Sequence, residues 1–251
     1  MDSVSRNKTA VVIRAHQVTD FFVGEFARIK AAESAVEVDV FLSFDSPEPI
    51  DMPGFSDVHF FSKEDVFQRF KHFDAERPLW HNPDYVILDF YLKNPGYEYY
   101  WLIEYDVYFA GEWKDFFSRF SLNNADQITS AIKTQKDIFG AQFVKPEWVW
   151  WRSLNFEPSN LVGCFFPINR FSNQALMTLL HEYRRDRFGY AELFVPTILL
   201  ENGLVLDDLY LYPDLCREDG FNYCGPVTIR PGFIHHPVRC AADTRARDGS
   251  F

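Results

Sequence analysis

The stretch from Tyr99 to Phe109 is an apolar, aromatic run that carries Glu104-Tyr105-Asp106 and gives way to a Gly111-Glu112-Trp113 turn. It reads as a buried strand with two carboxylates at its end. Residues two apart on an extended chain point to the same face, which places Glu104 and Asp106 side by side and turns Tyr105 away. Paired carboxylates suit a hard divalent cation, which takes oxygen ligands, commonly one or two protein carboxylates completed by phosphate oxygens and water. A nucleoside diphosphate is a natural co-ligand for such a pair.

Ahead of this run, strand and helix patterns alternate. Ala10 to Arg14 is a β-branched first strand, and Thr19 to Ala32 carries Phe21, Phe22, Phe26 and Ile29 at helical spacing. Val36 to Phe44 alternates as a second strand and Val58 to Phe61 is a short third, after which Ser62 caps a helix opening Lys63-Glu64-Asp65. Pro83 to Leu92 reads as a further helix with Pro83 in its first turn, stopped by Asn94-Pro95-Gly96. This alternation predicts an α/β fold with a mostly parallel sheet.

Beyond the acidic run, Gln127 to Ile132 reads as a strand and Gln135 to Pro158 as irregular or antiparallel structure rich in Trp. Leu161 to Ile168 returns to a strand. Ser172 caps a helix bearing Leu176, Leu179, Leu180 and Tyr183, with Arg184, Arg185 and Arg187 at its negative end and Gly189 closing it. Proline is tolerated in a first turn but not in a helix interior, so Pro196 sets a second helix at Phe194 to Glu201. The tail after Pro231 carries few structural signals, and residues 241–251 are expected to be mobile. No repeat or linker divides the chain, so 1–251 reads as a single domain.

Composition narrows the function. With 251 residues and 47% hydrophobic content the chain can bury a large α/β core. A net charge of -11 opposes general nucleic-acid binding, which needs clustered cations, while leaving room for a local cationic pocket. The aromatic share of 18% supplies faces for stacking a sugar and, equally, core material. The apolar run near the N-terminus is too short for a signal segment or a membrane span, so a cytoplasmic protein is expected, with a peripheral position at a membrane left open. Cys164, Cys216, Cys224 and Cys240 lack zinc-type spacing, and Cys216 and Cys224 would pair only in an oxidising compartment. Neither glycine-rich phosphate loop is present, so any bound diphosphate would depend on a metal bridge.

The string Tyr99 to Val107, with Gly111 and Trp113 after it, resembles the metal-binding motif of the GT-A-fold glycosyltransferases, as an E-x-D variant of their D-x-D. In that family a divalent ion on such a motif holds the diphosphate of a nucleotide sugar. The resemblance takes in the β-α start, the helix before the motif and the later helix pair, about two thirds of the chain. It implies a GT-A-like fold, a Rossmann-type, mostly parallel central sheet flanked by helices with a smaller antiparallel acceptor-side portion. Residues 1–110 would then form the nucleotide-sugar half and 111–240 the acceptor half. The spacing E-x-D alone is common, and its plain alternative is a strand end with solvated carboxylates.

Candidate roles follow from the resemblance and from position. Glu104 and Asp106 are the metal ligands, joined by His236 foremost and then His235, and an imidazole ligand tilts the choice from Mg²⁺ toward Mn²⁺. Ligands of open α/β sheets sit outside the carboxyl ends of strands, which nominates Arg14, His16, Gln17 and Asp45 for the nucleotide, with His81 and Asn82 as further donor-site candidates. Glu192, at the start of a helix, is the candidate general base, or alternatively an acid complementing the helix dipole. Asp207 and Asp208 stand in reserve. Trp148, Trp150, Trp151 and Arg152 are the candidate acceptor platform, or core packing.

The resulting expectation is a metal-dependent transferase moving a sugar from a UDP- or GDP-sugar to a glycan, polysaccharide or lipid-linked acceptor. An inverting displacement fits Glu192 as base, and a retaining course stays open. The rivals are a non-catalytic carbohydrate-binding protein and a metal-dependent phosphodiesterase.

Overall fold

The structure, a computed structural model, describes residues 9–71, 78–139, 153–221 and 227–239. Trp148, Trp150, Trp151, Arg152, Cys224 and the 241–251 tail lie outside the described residues, and with them the expected acceptor platform and the Cys216–Cys224 pairing. Cys216 itself is buried.

The chain opens with β1 (Thr9–Ala15), α1 (Asp20–Lys30), β2 (Val38–Asp45), β3 (Val58–Phe61) and α2 (Lys63–Arg69). Both helices start where a hydroxyl satisfies an orphan amide: Thr19 accepts from the Phe22 N–H at 3.2 Å and Ser62 from the Asp65 N–H at 3.3 Å. Next come α3 (Pro78–His81), α4 (Asp84–Lys93), β4 (Tyr99–Glu104), β5 (Tyr108–Phe109) and α5 (Trp113–Phe120). The remaining elements are β6 (Gln127–Thr134), α6 (Gln135–Phe139), β7 (Val162–Ser172), α7 (Asn173–Arg184), α8 (Ala191–Glu201), β8 (Leu206–Asp208) and β9 (Ile234–His235).

Seven strands form one sheet in the order β3-β2-β1-β4-β7-β6-β8. β3, β2, β1 and β4 run parallel, β7 is antiparallel to both β4 and β6, and β8 is parallel to β6. The mixed half is the antiparallel portion expected beside a parallel one. From β1 the chain builds outward through β2 and β3, then returns to place β4 on the other side of β1. The strand order therefore reverses between β1 and β4, the point at which open α/β sheets leave a crevice at their carboxyl ends.

Helices cover both faces. Ala10, Val12, Tyr100 and Leu102 face a core shared with α4, α7 and α8, while Val11, Ile13, Trp101 and Ile103 face one shared with α1 and α5. This period-two division across two adjacent strands explains why both read as unbroken apolar runs. Among the described residues no helix is long and apolar enough to cross a membrane.

Four local expectations are corrected. The aromatic run is not one strand: β4 stops at Glu104, residues 105 and 106 form a turn, and β5 belongs to a separate two-stranded sheet with β9. α7 ends at Arg184 rather than at Gly189, because Asp186 takes a left-handed φ of 67°. α8 begins at Ala191 and runs through Pro196. Proline has no N–H to give the carbonyl four residues back, but Ala191 to Leu199 are buried without exception, and that burial outweighs one missing bond. The tail after Pro231 supplies β9, which pairs Tyr108 with His235 and Phe109 with Ile234.

Candidate active site

Backbone register places the first two site residues. Arg14 of β1 stands opposite Glu104 of β4, so both side chains emerge at the same level of the sheet, and Arg14 Nη1 donates to Glu104 Oε1 at 3.0 Å. The Tyr105 N–H makes a last strand-like bond to the Arg14 carbonyl at 3.0 Å, and the Val107 N–H then closes on the Glu104 carbonyl at 3.0 Å. The turn so formed carries Asp106 inward, where it is 3% exposed. Tyr105, expected to point away, also lines the cavity; its ring meets His16 edge-on at 4.9 Å and its hydroxyl accepts from Gln17. A turn does not preserve the two-residue alternation of a strand.

The C-terminal segment closes over this turn. Beyond the β5–β9 pairing, the Val238 N–H donates to the Asp106 carbonyl at 2.8 Å and the His236 N–H to the Gly220 carbonyl at 3.1 Å. His236 is thereby held with Nε2 at 3.3 Å from Asp106 Oδ1 and 3.7 Å from Glu104 Oε2. Arg239 Nε donates to Asp106 Oδ2 at 3.1 Å.

Glu104, Asp106 and His236 each offer a ligand atom, and these atoms lie within 4.8 Å of one another. Asp106 Oδ1 is buried and faces His236 Nε2 within the cluster. Two carboxylates and an imidazole form a donor set that a Mn²⁺- or Mg²⁺-type ion accepts. Burial acts to raise the Asp106 carboxyl, but His236 and Arg239 beside it prevail and hold it below the ordinary range. Burial acts to lower His236, and the two carboxylates overcome it, bringing the imidazole up to about 9.

A cavity of about 340 Å³ opens on the cluster, a volume in the range of small-ligand sites. Arg14, His16, Glu104, Asp106, Glu192 and His236 all line it, as do Trp80, Pro83, Tyr190 and the Phe165-Phe166-Pro167 stretch of β7. Glu192 reaches it from the first turn of α8 and is 5% exposed. Burial and the Arg14 charge hold His16 below its ordinary value.

Other nominated residues lie off the cavity wall. Asp45 accepts from the Lys63 N–H at 3.3 Å at the start of α2. Asn82 is buried and donates to the Gly189 carbonyl at 2.8 Å, tying α4 to the start of α8. The His81 ring packs against Trp80 and Tyr190. His235, the last residue of β9, does not line the cavity, and its Nε2 accepts from the Arg230 N–H at 3.0 Å. Asp207 accepts from Asn123 and the Tyr212 hydroxyl, and Asp208 from the Ala131 and Ile132 amides, so the first braces a loop and the second the irregular stretch of β6.

Among the cavity residues that lay outside the sequence expectations are Trp80, Tyr190 and Arg239. Each has a local signal, since Trp80 adjoins His81, Tyr190 precedes the helix carrying Glu192, and Arg239 follows His236 by three positions.

No protein-family model and no curated protein matches the chain. Among solved structures it is similar to the 4-diphosphocytidyl-2C-methyl-D-erythritol synthase from Anaerococcus prevotii DSM 20548, at 10% identity and a TM-score of 0.46, over 82% of this chain and 89% of that one. It is similar also to the galactosyltransferase LgtC in complex with donor and acceptor sugar analogs, at 10% identity and a TM-score of 0.44, over 79% of this chain and 72% of that one. A third is the inositol-1-phosphate CTP transferase from T. maritima, at 12% identity and a TM-score of 0.44, over 81% of this chain and 85% of that one. At such scores the geometry of the site has to carry the function.

Proposed function

We propose that this protein is a metal-dependent glycosyltransferase that moves a sugar from a nucleoside diphosphate sugar to a hydroxyl of a glycan, polysaccharide or lipid-linked acceptor. The observation that carries the proposal is the convergence of Glu104, Asp106 and His236 at the β1–β4 switch point, in a cavity that also holds Arg14, Arg239 and Glu192. Mn²⁺ or Mg²⁺ held by the first three would supply positive charge against the leaving diphosphate. Residues 1–110 contribute Arg14, His16, Glu104 and Asp106, the nucleotide-sugar side, and residues 111–240 contribute Glu192 and His236.

Glu192 serves as general base. It takes the proton from the acceptor hydroxyl as that oxygen attacks the anomeric carbon, which makes the transfer a single inverting displacement. His16 lies at the cavity edge, where a ribose or base would pass. Trp80, with its indole half in solvent, offers a stacking face in addition to the one expected of Trp148, Trp150 and Trp151. UDP is the favoured nucleotide and the cytoplasm the favoured location.

Calorimetric titration of UDP and GDP, with Mn²⁺ or with EDTA, into the wild type and Asp106→Ala tests this. Binding that requires both the metal and Asp106 is expected. The same carboxylates, metal and guanidiniums would also serve nucleotidyl transfer, so CTP and UTP belong in the panel, and a metal-dependent preference for a triphosphate over both diphosphates would favour that reaction. Absence of metal-dependent binding to any of the four would remove the transferase reading.

A further inference from the structure

We infer that Arg14 and Arg239 are place-holders for the divalent cation: each neutralises one carboxylate of the pair in the metal-free protein and turns to the diphosphate when a metal arrives. The inference rests on the metal and diphosphate of the proposed function. It adds that these arginines oppose the metal when it binds alone.

The geometry that motivates it is a matched pair of contacts. Arg14 Nη1 lies 3.0 Å from Glu104 Oε1, and Arg239 Nε lies 3.1 Å from Asp106 Oδ2, so each acid of the motif has its own guanidinium. Both arginines line the cavity. A guanidinium keeps its charge at every accessible pH, so it yields to a competing cation by moving. Arg239 has room to do so, since its side chain is 62% exposed while the Asp106 side chain it grips is 4% exposed.

An ion among the three ligand atoms, which lie within 4.8 Å of one another, places like charge beside both guanidiniums. Metal alone therefore loosens two ion pairs with nothing offered in exchange. Diphosphate alone meets two arginines already neutralised, and two carboxylates that repel it. Bound together, the metal satisfies the carboxylates and the diphosphate oxygens satisfy the guanidinium forks. Each ligand then raises the affinity of the other, by the same factor in both directions.

The sign of one measurement separates this role from simpler ones. Mn²⁺ is titrated into the wild type, Arg239→Gln, Arg14→Gln and Asp106→Ala, with free Mn²⁺ read by electron paramagnetic resonance, in the absence and presence of inorganic pyrophosphate. Thermal melts confirm that each variant is folded. Arg239→Gln is expected to bind Mn²⁺ alone about fivefold or more tightly than the wild type, with the gain from pyrophosphate reduced by a similar factor. Arg14→Gln is expected to shift in the same direction.

Unchanged affinity for Mn²⁺ alone in both variants would make the arginines plain phosphate ligands and overturn the inference. Weaker affinity would make them struts that hold the carboxylates in place, and would overturn it equally. Both outcomes leave the metal site standing, because Asp106→Ala still abolishes Mn²⁺ binding. Failure of the wild type to bind Mn²⁺ even with pyrophosphate present, or equal binding by Asp106→Ala, removes the metal site and the inference with it.

Discussion

His236 Nε2 lies 3.3 Å from Asp106 Oδ1, a contact set up by the pairing of β9 with β5 together with the His236 N–H bond to Gly220 and the Val238 N–H bond to Asp106. The candidate metal cluster is thus assembled from two remote segments by a sheet of two short strands. β5 in turn is fixed from the opposite side by α1: Arg28 Nη2 donates to the carbonyls of Phe109 at 2.9 Å and Gly111 at 2.6 Å. Arg28 also pairs with the buried Glu25, which accepts from Trp113 Nε1 at 2.7 Å.

Arg28→Ala is therefore expected to weaken Mn²⁺ binding although Arg28 is no ligand. Loss of the guanidinium leaves Glu25 buried without its counter-charge and frees two carbonyls that set the position of β5. A stability loss of about 2 kcal/mol or more follows from the buried, unpaired acid alone. Chemical denaturation measures the first effect and Mn²⁺ titration the second. Wild-type Mn²⁺ affinity in a folded Arg28→Ala variant would show that the cluster does not depend on β5.

Asp84, fully buried in the first turn of α4, accepts from the Tyr183 hydroxyl at 2.5 Å. Burial pushes its carboxyl up to about 7 against the lowering effect of that hydrogen bond. Between about pH 4, where the unfolded chain loses this proton, and about pH 7, the native state keeps it. The native state binds more protons in that window, so this contribution to stability declines as pH rises through it and is level above. Asp84→Asn keeps an acceptor for Tyr183 and removes the titration. The variant is expected to exceed the wild type at pH 8 by on the order of 2 kcal/mol, with the gap closing toward pH 4. Urea midpoints at the two pH values check it, and a pH-independent difference would exclude Asp84 as the source.

Much of this was legible in the sequence where the cause is local. Thr19, Ser62 and Ser172 announce their helices because a hydroxyl cap acts within three residues, and β1 and β4 announce themselves because both of their faces are buried. Glu104, Asp106 and His236 were legible as residue types that share one chemistry. The turn at residues 105 and 106 was not, since β4 stops after its last ladder bond, from Tyr105 to Arg14, where its pairing with β1, a strand distant in sequence, runs out. Pro196 misled for a similar reason: the burial that sustains α8 comes from β7 and α7, which no window around the proline contains. Trp80 and Arg239 were missed because their nearness in sequence to His81 and His236 does not say which side chains reach the cavity, which the fold decides.

Trp80 is 52% exposed at the cavity, so truncating it removes a stacking face without opening the core. Trp80→Ala is expected to keep its melting temperature and its metal-dependent nucleotide affinity. Transfer to a sugar acceptor should show KM raised about tenfold, the equivalent of about 1.4 kcal/mol, while slow hydrolysis of the donor by water is unchanged. Equal losses in hydrolysis and transfer would place the indole against the donor sugar instead.

Glu192 and Gly189 make a matched test of the base. Glu192→Gln retains the size and polarity of the side chain and removes the proton acceptor, so kcat is expected to fall by about 10²- to 10⁴-fold, with Mn²⁺ and nucleotide binding and the melting temperature unchanged. Gly189 sits just ahead of α8, and a Cβ there would stand 2.4 Å from Leu154 Cδ2 and 3.1 Å from Leu154 Cα. Gly189→Ala therefore forces the start of the helix away from its neighbour, at a cost of about 1–3 kcal/mol, and carries an intact Glu192 out of position. Its kcat is expected to fall as well, but together with stability, which Glu192→Gln leaves alone. If Glu192→Gln instead loses stability and keeps kcat, the carboxylate serves the helix rather than the reaction, and the base lies elsewhere in the cavity.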